Sequence, residues 1–179
     1  MRGKAFLVAL ALAAAPAAAQ EGSDDILNKI INSPPPTAHQ VQGGKGKVLG
    51  DEAVQGGKAL RINVSGAGKN TWDTAVANPI GKPVKAGDQL ILAFWARLEK
   101  GQDGSTSASL PYNAIQMASA PYTALFHEGV TIGPEWKMYE VKGKADRDYA
   151  GGSLNASIHL ATGKQVVDLG PVFVLNMGQ

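Results

Sequence analysis

The residues best suited to ligand chemistry lie on segments where side chains alternate between two faces. Leu90, Leu92 and Phe94 share one face of such a segment, and Trp95 and Arg97 share the other. If the apolar face packs in a core, Trp95 and Arg97 point outward. A flat indole can stack on the C–H face of a sugar ring, and a guanidinium can bind the hydroxyls at its rim. The spacing therefore indicates a polar surface that carries an aromatic ring.

A second row of polar side chains occurs in residues 153–160. The apolar residues of this segment alternate with Asn155, Ser157 and His159, which are thus predicted to line the outer face of a strand. Amide, hydroxyl and imidazole groups can all hydrogen-bond to sugar hydroxyls. An ordinary solvated strand face carries the same kind of row. Gln165, just past the following turn, is a further candidate for this rim.

The motifs of phosphate, dinucleotide and calcium binding are incomplete in this chain. Asn70 stands where a phosphate-binding loop needs Ser or Thr, and Leu49 stands where a dinucleotide-binding motif needs glycine. Residues 146–157 begin like a calcium-binding loop but end in Ser157 instead of a glutamate. The three histidines are far apart in sequence, and the carboxylates are scattered over predicted turns. These patterns therefore indicate no catalytic residue and no metal ligand.

The elements that must position these side chains are β-strands. From residue 59 onward apolar residues recur with a period of two, and Gly, Pro, Asn or Asp separate the segments. Strands are predicted over residues 60–64, 72–77, 90–97, 107–117, 122–127, 136–142, 153–160 and 165–176. Eight to nine short strands without a convincing helix are typical of an all-β sandwich, and the antiparallel jelly roll is the expected form.

Composition limits the class of protein. The chain has 179 residues, of which 44% are hydrophobic and 18% charged, enough for one folded domain. It has no cysteine, which excludes disulfides and a cysteine nucleophile. Two of the 17 basic residues lie among the first 19, which leaves 15 basic against 15 acidic residues in the remainder. A chain without net charge is a poor candidate for nucleic-acid binding.

Residues 1–19 have the three parts of a bacterial secretory signal peptide. Arg2 and Lys4 precede a short apolar run, and Ala17–Ala19 supply the small residues of a cleavage site. The apolar run is shorter than the ~20 residues that a membrane span needs. We therefore expect cleavage near Ala19, a secreted or periplasmic protein, and no transmembrane segment.

Residues 20–53 are the least regular part of the sequence. Residues 24–31 could form one or two helical turns, but Pro34–Pro36 ends any helix, and glycines follow at short intervals. We expect residues 20–53 to be an irregular N-terminal segment that packs on the sandwich, which residues 54–179 would form.

Four segments together resemble carbohydrate-binding module families 4, 9 and 22. Val54–Ile62 is similar to their glycine-glycine entry into a strand, and Val84–Arg97 is similar to their turn and strand that end in Phe-Trp-Ala-Arg. Gly133–Tyr139 is similar to their Glu-Trp-x-x-Tyr strand, and Ile158–Leu169 to their final hairpin. The order agrees, and the match covers roughly residues 54–177.

The resemblance implies a galactose-binding-like jelly roll that binds sugar polymers without cleaving them. It implies a stacking tryptophan close to Trp72 and a ligand-contacting histidine near His159. Tyr112, Gln116 and Tyr122 belong to strands that would cross the middle of the concave sheet. The predicted substrate-binding residues are Trp72, Trp95, Arg97, Tyr112, Gln116, Tyr122, His159 and Gln165.

The resemblance also concerns metal binding. The last strand of these modules usually carries an acidic pair that helps to hold a structural calcium ion. This chain has Leu169–Val172 at the corresponding place, and Asp168 is displaced from it. We therefore predict no cofactor, with structural calcium as the remaining alternative.

Three functions stay open at this point. We expect an exported, non-catalytic domain that holds an oligosaccharide or polysaccharide in a groove across one sheet, with a glycan-degrading enzyme as a partner. The alternative is a glycan-active enzyme, a hydrolase or lyase, that uses Glu128, Glu135, His127 or Arg97 on the same concave face. The third is a structural surface protein that docks a partner chain.

Overall fold

The computed structural model describes residues 25–179, and this part of the chain contains ten β-strands. They are β1 (Gln40–Gln42), β2 (Lys45–Gly50), β3 (Lys58–Val64), β4 (Ala75–Ile80), β5 (Gln89–Lys100), β6 (Ala108–Met117), β7 (Ala124–Ile132), β8 (Lys137–Lys144), β9 (Leu154–His159) and β10 (Gln165–Asn176). Residues 25–29 form a short helical segment. Single 3-10 turns cover Pro36–Ala38, Gln55–Gly57, Thr71–Asp73 and Gln102–Gly104.

The strands form two antiparallel sheets of five. The front sheet has the order β1-β4-β9-β6-β7, and the back sheet has the order β2-β3-β10-β5-β8. Neighbours within each sheet are mostly distant in sequence, so the chain crosses repeatedly from one sheet to the other. The predicted all-β jelly-roll sandwich is confirmed, although the number of strands is ten instead of eight or nine.

The core lies between the inner faces of the two sheets. On β5 the side chains of Leu90, Leu92 and Phe94 are almost fully buried, as their alternation with Trp95 predicts. Phe94 stacks on Tyr139 of β8 with 5.7 Å between ring centroids. Full burial of one such side chain contributes about 1.5–3 kcal/mol, and this is what holds the two sheets together.

The segment predicted to be irregular contributes one strand to each sheet. β1 pairs with β4 and β2 pairs with β3, both antiparallel. Both are short edge strands: β1 has one apolar residue among its three, and β2 is rich in glycine and lysine. Neither shows a repeated apolar alternation, and only their long-range pairing defines them.

Residues 30–39 tie the two sheets together. The amide of Ile31 donates to the carbonyl of Val174 in the back sheet at 2.9 Å, and Asn32 pairs with Ile80 in the front sheet. His39 lies between Gly170 O at 3.0 Å and Asn78 Nδ2 at 3.1 Å, and burial lowers its pKa.

The predicted signal peptide, residues 1–19, lies outside the described residues. Within residues 25–179 no helix has the length and apolar character of a membrane span.

Candidate functional site

The outer face of the front sheet carries a cleft of about 430 Å³. Strands β1, β4, β6 and β9 form its floor, and the turns before β4 and before β7 form its two ends. The lining residues are Gln42, Thr71, Trp72, Ala75, Ala77, Tyr112, Gln116, Pro121, Tyr122, Asn155, Ser157 and His159. Five of the eight predicted binding residues meet here: Trp72, Tyr112, Gln116, Tyr122 and His159.

The floor follows from strand alternation. The even-numbered residues of β9 are buried in the core, so Asn155, Ser157 and His159 point to the cleft. Beside them β4 presents Ala75 and Ala77. Because these alanines are small, a ligand can approach the sheet closely.

Trp72 forms one end of the cleft, with 53% of its surface exposed. It sits in a 3-10 turn whose ends are fastened together, since the amide of Asn70 donates to the carboxylate of Asp73 at 3.0 Å. Gly43, with φ of 65°, packs on the carbonyl of Asp73 so closely that any side chain there would collide with it. The tryptophan is thus held on a supported turn and is still open to solvent.

Tyr122 forms the other end, with 56% of its surface exposed. Its φ of 55° lies in the left-handed region, which is strained for a tyrosine, and its amide donates to Ser119 O at 2.9 Å. Exposed aromatic residues held in such backbone conformations are typical of functional sites. Trp72 meets His159 on β9, and Tyr122 lies in the turn after β6, the strand whose Gln116 pairs with Asn155. His159 and Asn155 are four residues apart on β9, which is about 13 Å at about 3.3 Å per residue.

Tyr112 stacks between two histidines of the neighbouring strands. Tyr112 lies 4.1 Å from His159 and 4.8 Å from His127, measured between ring centroids. The edge of Trp72 meets His159 at 6.0 Å. The hydroxyl of Tyr112 donates to Oε1 of Gln116 at 2.8 Å, which leaves the amide NH₂ of Gln116 to donate to a ligand.

His159 is neutral at physiological pH. Burial and, secondarily, the nearby His127 lower its pKa to about 4. Its Nδ1 is 3.0 Å from the hydroxyl of Thr71, which fixes the ring and leaves Nε2 for a ligand. Although His159 faces outward as predicted, only 6% of it is exposed, because Tyr112 and Trp72 cover it.

Among residues 25–179, those that line the cleft include no side chain that is charged at neutral pH. Of the four residues considered for catalysis, Glu128 and Glu135 are exposed and lie outside the lining. His127 is exposed on β7, where it stacks on Tyr112 and also lies outside the lining, and Arg97 belongs to the back sheet. The pair of carboxylates that most glycosidases use is not present in this lining.

Two predicted binding residues, Trp95 and Arg97, lie on the other side of the molecule. Both face outward as alternation predicts, but β5 belongs to the back sheet. The indole N–H of Trp95 donates to Gln55 Oε1 at 3.1 Å, and Arg97 binds the carboxylate of Asp168 at 2.9 Å. Placing them in the cleft was wrong, because alternation specifies a face of a strand and not the sheet that the strand joins.

Gln165 is also absent from the cleft. Only 5% of it is exposed, and its Nε2 donates to Leu160 O at 2.8 Å within the turn between β9 and β10. It lines a second cavity at the end of the sandwich. The turn carries the chain from the front sheet to the back sheet, so a residue just past it leaves the row of His159.

Sequence reasoning missed part of the lining. Gln42 lies on β1, which showed no strand pattern, and Thr71 and Pro121 lie in turns. Asn155 and Ser157 were recognised as an outward row but not assigned to the site. Because Asn155 and Ser157 share the outward face of the strand with His159, they could have been predicted as binding residues together with it.

Asp168 does not fit a calcium site. It is fully buried, and its two oxygens accept hydrogen bonds from Arg61 at 2.8 Å and from Arg97 at 3.0 Å. Asp51 and Glu99 complete this network on the back sheet. Two guanidinium groups occupy the positions from which the carboxylate would coordinate a cation. Residues 25–179 contain no group of three His, Asp or Glu side chains arranged to hold a metal.

The fold is similar to that of carbohydrate-binding modules of known structure. A CBM4 structure aligns with a TM-score of 0.59 and 14% identity over 79% of this chain and 96% of that chain. The CBM22-1 xylan-binding domain of Paenibacillus barcinonensis Xyn10C aligns with a TM-score of 0.57 and 12% identity over 84% and 93%. The second N-terminal cellulose-binding domain of Cellulomonas fimi β-1,4-glucanase C aligns with a TM-score of 0.58 and 14% identity over 86% of this chain and 99% of that chain.

At these identities the similarity establishes the fold. The resemblance drawn from four sequence segments is therefore confirmed as a jelly roll of the carbohydrate-binding-module type. No protein-family model and no curated protein matches the sequence.

Proposed function

We propose that this protein is an exported, non-catalytic carbohydrate-binding domain that holds an uncharged oligosaccharide or polysaccharide in the cleft of the front sheet. One observation carries the proposal. Two exposed aromatic rings, Trp72 and Tyr122, stand at the ends of a floor made of neutral hydrogen-bonding groups.

This arrangement matches the chemistry of a sugar chain. Each ring of a glycan has a C–H face that packs on aromatic surface and a rim of hydroxyls that needs donors and acceptors. Asn155, Gln116 and His159 can supply amide and imidazole groups to the rim. The floor is partly pre-ordered, because Thr71 fixes His159 and Tyr112 fixes Gln116.

The lack of charge in the lining favours a neutral ligand. A uronate or sulfated sugar would lose water on entry without gaining a cationic partner, and an unpaired buried charge is costly. The same lack of carboxylates favours binding without cleavage. The proteins of similar fold include a xylan-binding and a cellulose-binding domain, which supports a polymer as the ligand.

Affinity electrophoresis of the mature protein in gels that contain xylan, β-glucan or mannan tests the proposal. We expect retardation in at least one gel, and we expect a Trp72→Ala/Tyr122→Ala double variant to run as in the empty gel. Trp95→Ala is the matched control, since it removes a tryptophan from the opposite sheet. Equal loss of retardation in the control, or no retardation in any gel, would contradict the proposal.

The alternatives give different results. Release of reducing ends from the same polymers would establish a glycan-active enzyme. A protein that binds no glycan but is pulled down by another protein of the same host would support the structural surface protein.

Because one relative in fold is a domain of a β-1,4-glucanase, we propose a glycan-degrading enzyme as the partner.

A further inference from the structure

A second cavity, of about 590 Å³, lies at the end of the sandwich. It opens between the end of β3, the 3-10 turn Gln102–Gly104 and the turn that leads into β10. Its volume is in the range of small-molecule sites. It goes beyond the cleft proposed above, because the two share no lining residue.

Gln165 gives this cavity a fixed polar group. The side chain is 95% buried, and its Nε2 donates to Leu160 O at 2.8 Å and to Thr162 Oγ1 at 3.2 Å. These bonds set the orientation of the amide. Its Oε1 has no hydrogen-bond partner among the described residues. In that part of the chain, the one side-chain atom that is both inaccessible to solvent and without a partner is Asn113 Oδ1, not Gln165 Oε1. Oε1 therefore remains accessible, and the cavity that Gln165 lines offers it a hydroxyl partner.

Two lysines and one carboxylate line the same cavity as this amide. Lys100 and Lys164 line the cavity, and neither forms an ion pair in the described part of the chain. Asp103 lines it as well and accepts a hydrogen bond from Gln102 Nε2 at 3.3 Å. The lining thus combines a net positive charge with oxygen acceptors. An anionic group satisfies the lysines, and hydroxyl groups satisfy the acceptors.

We propose that this second cavity binds a sugar acid, that is, a uronic acid unit. Its carboxylate pairs with the ammonium groups of Lys100 and Lys164. Its hydroxyls donate to Oε1 of Gln165 and to the carboxylate of Asp103. A neutral sugar would leave both lysines unpaired, and a simple inorganic anion would leave the acceptors unused.

The two cavities therefore differ in the charge of the ligand they accept. The cleft lining has no charged group, whereas the second cavity has three. A glycan that carries both neutral and acidic units could contact both cavities, but the second cavity needs no ligand in the cleft.

NMR titration of the ¹⁵N-labelled mature protein with D-glucuronate and, separately, with D-glucose tests the proposal. We expect glucuronate to shift the side-chain amide of Gln165 and the backbone amide of Lys164, and glucose to leave both unchanged. Lys100→Gln/Lys164→Gln should weaken glucuronate binding by about tenfold or more, since it removes two charge-assisted contacts. Lys58→Gln/Lys82→Gln is the control, because it removes the same net charge from exposed positions outside the cavity.

The outcomes separate this site from the cleft. Trp72→Ala should leave the glucuronate shifts intact whether or not it abolishes polysaccharide binding. No shift with glucuronate, equal shifts with glucose, or equal weakening in the Lys58/Lys82 control would overturn the proposal. Shifts confined to the indole N–H of Trp72 would place the acid in the cleft and would also overturn it.

Discussion

At the scale of the residue, the cleft depends on side chains that are polar or aromatic but uncharged. His159 shows how the surroundings set this property, because burial under Tyr112 and Trp72 keeps its imidazole neutral. Trp72 shows the opposite case of an aromatic ring kept in solvent by a supported turn. A single exposed aromatic ring is common on protein surfaces, so it is the position of Trp72 at the end of a concave cleft that points to a ligand.

Replacing Trp72 by alanine should weaken glycan binding more than folding. A stacked ring pair contributes about 0.5–1.5 kcal/mol beyond area burial, and we apply this scale to a sugar on indole. The affinity should fall by up to about tenfold from stacking alone, and lost area adds to this. Stability should change by about 0.5 kcal/mol or less, as at other exposed positions. Affinity electrophoresis beside thermal melts makes the comparison. A binding loss that only follows a lower melting temperature would refute the role.

The pH dependence should follow His159. Its pKa of about 4 in the fold is below the ~6.5 of an unfolded histidine, so the fold favours the neutral form. The stability from this group is therefore complete above pH ~6.5 and is lost as the pH falls towards 4. A bound ligand would bury the His159 imidazole further and so disfavour its protonated form. The affinity should therefore be constant from pH 8 to about 5 and weaker at lower pH.

Binding and melting curves from pH 8 to about 3.5 measure this effect. In the His159→Gln variant, the part of the pH dependence of stability and affinity that comes from His159 should disappear. His39 contributes in the same direction, because burial lowers its pKa too, so some dependence should remain in the variant. A wild-type affinity that falls between pH 7 and 6 would contradict the assignment.

At the scale of the element, the back sheet is joined by ion pairs that cross three adjacent strands. Arg61 on β3, Arg97 on β5 and Asp168 on β10 meet at one register position. The guanidinium of Arg97 also lies 5.0 Å from the ring centroid of Trp136. Arg97, which was predicted to bind a ligand together with Trp95, is thus part of a network of ion pairs that stabilises the back sheet.

Asp168→Ala should destabilise the domain strongly. Removing one partner of a buried ion pair costs about 3–5 kcal/mol, and the 23–30% exposure of the two arginine side chains favours the lower end. Glu99→Ala should cost about 1 kcal/mol or less, because Glu99 is exposed and its pairs are screened. Urea unfolding of both variants measures the difference. Equal midpoints would show that Asp168 is not the centre of the network.

At the scale of the whole molecule, the cleft, the charge network and the second cavity occupy separate parts of the sandwich. The cleft lies on the front sheet, the charge network on the back sheet, and the second cavity at one end. Residues 30–39 tie the front sheet to the back sheet. The charge network can therefore be altered without changing a residue that lines the cleft.

The folded domain should be insensitive to chelators. Arg61 and Arg97 already occupy the oxygens of Asp168, the acidic residue of the last strand, so calcium has no role to fill there. We expect the same melting temperature in EDTA and in millimolar calcium. A melting temperature that rises with calcium and falls with EDTA would show a cation site elsewhere in the chain.

The mature chain should begin near Gln20, outside the cytoplasm. This expectation depends on the pattern of Arg2, Lys4 and Ala17–Ala19 alone. Intact-mass measurement of protein from its native host checks it. A chain that retains Met1 would contradict both cleavage and the export that we propose.

Local alternation in the sequence was enough to predict the fold class and the inward and outward faces of β3, β5 and β9. A period of two reports which side chains share a face, and this was correct for Phe94, Trp95 and His159. It did not reveal β1 and β2, whose stability comes from pairing with distant strands. The sheet that each strand joins depends on the tertiary fold, because strand partners are set by long-range contacts that local alternation does not encode. For that reason Trp72 and Tyr112 share a cleft, whereas Trp95 and Arg97 lie on the opposite sheet.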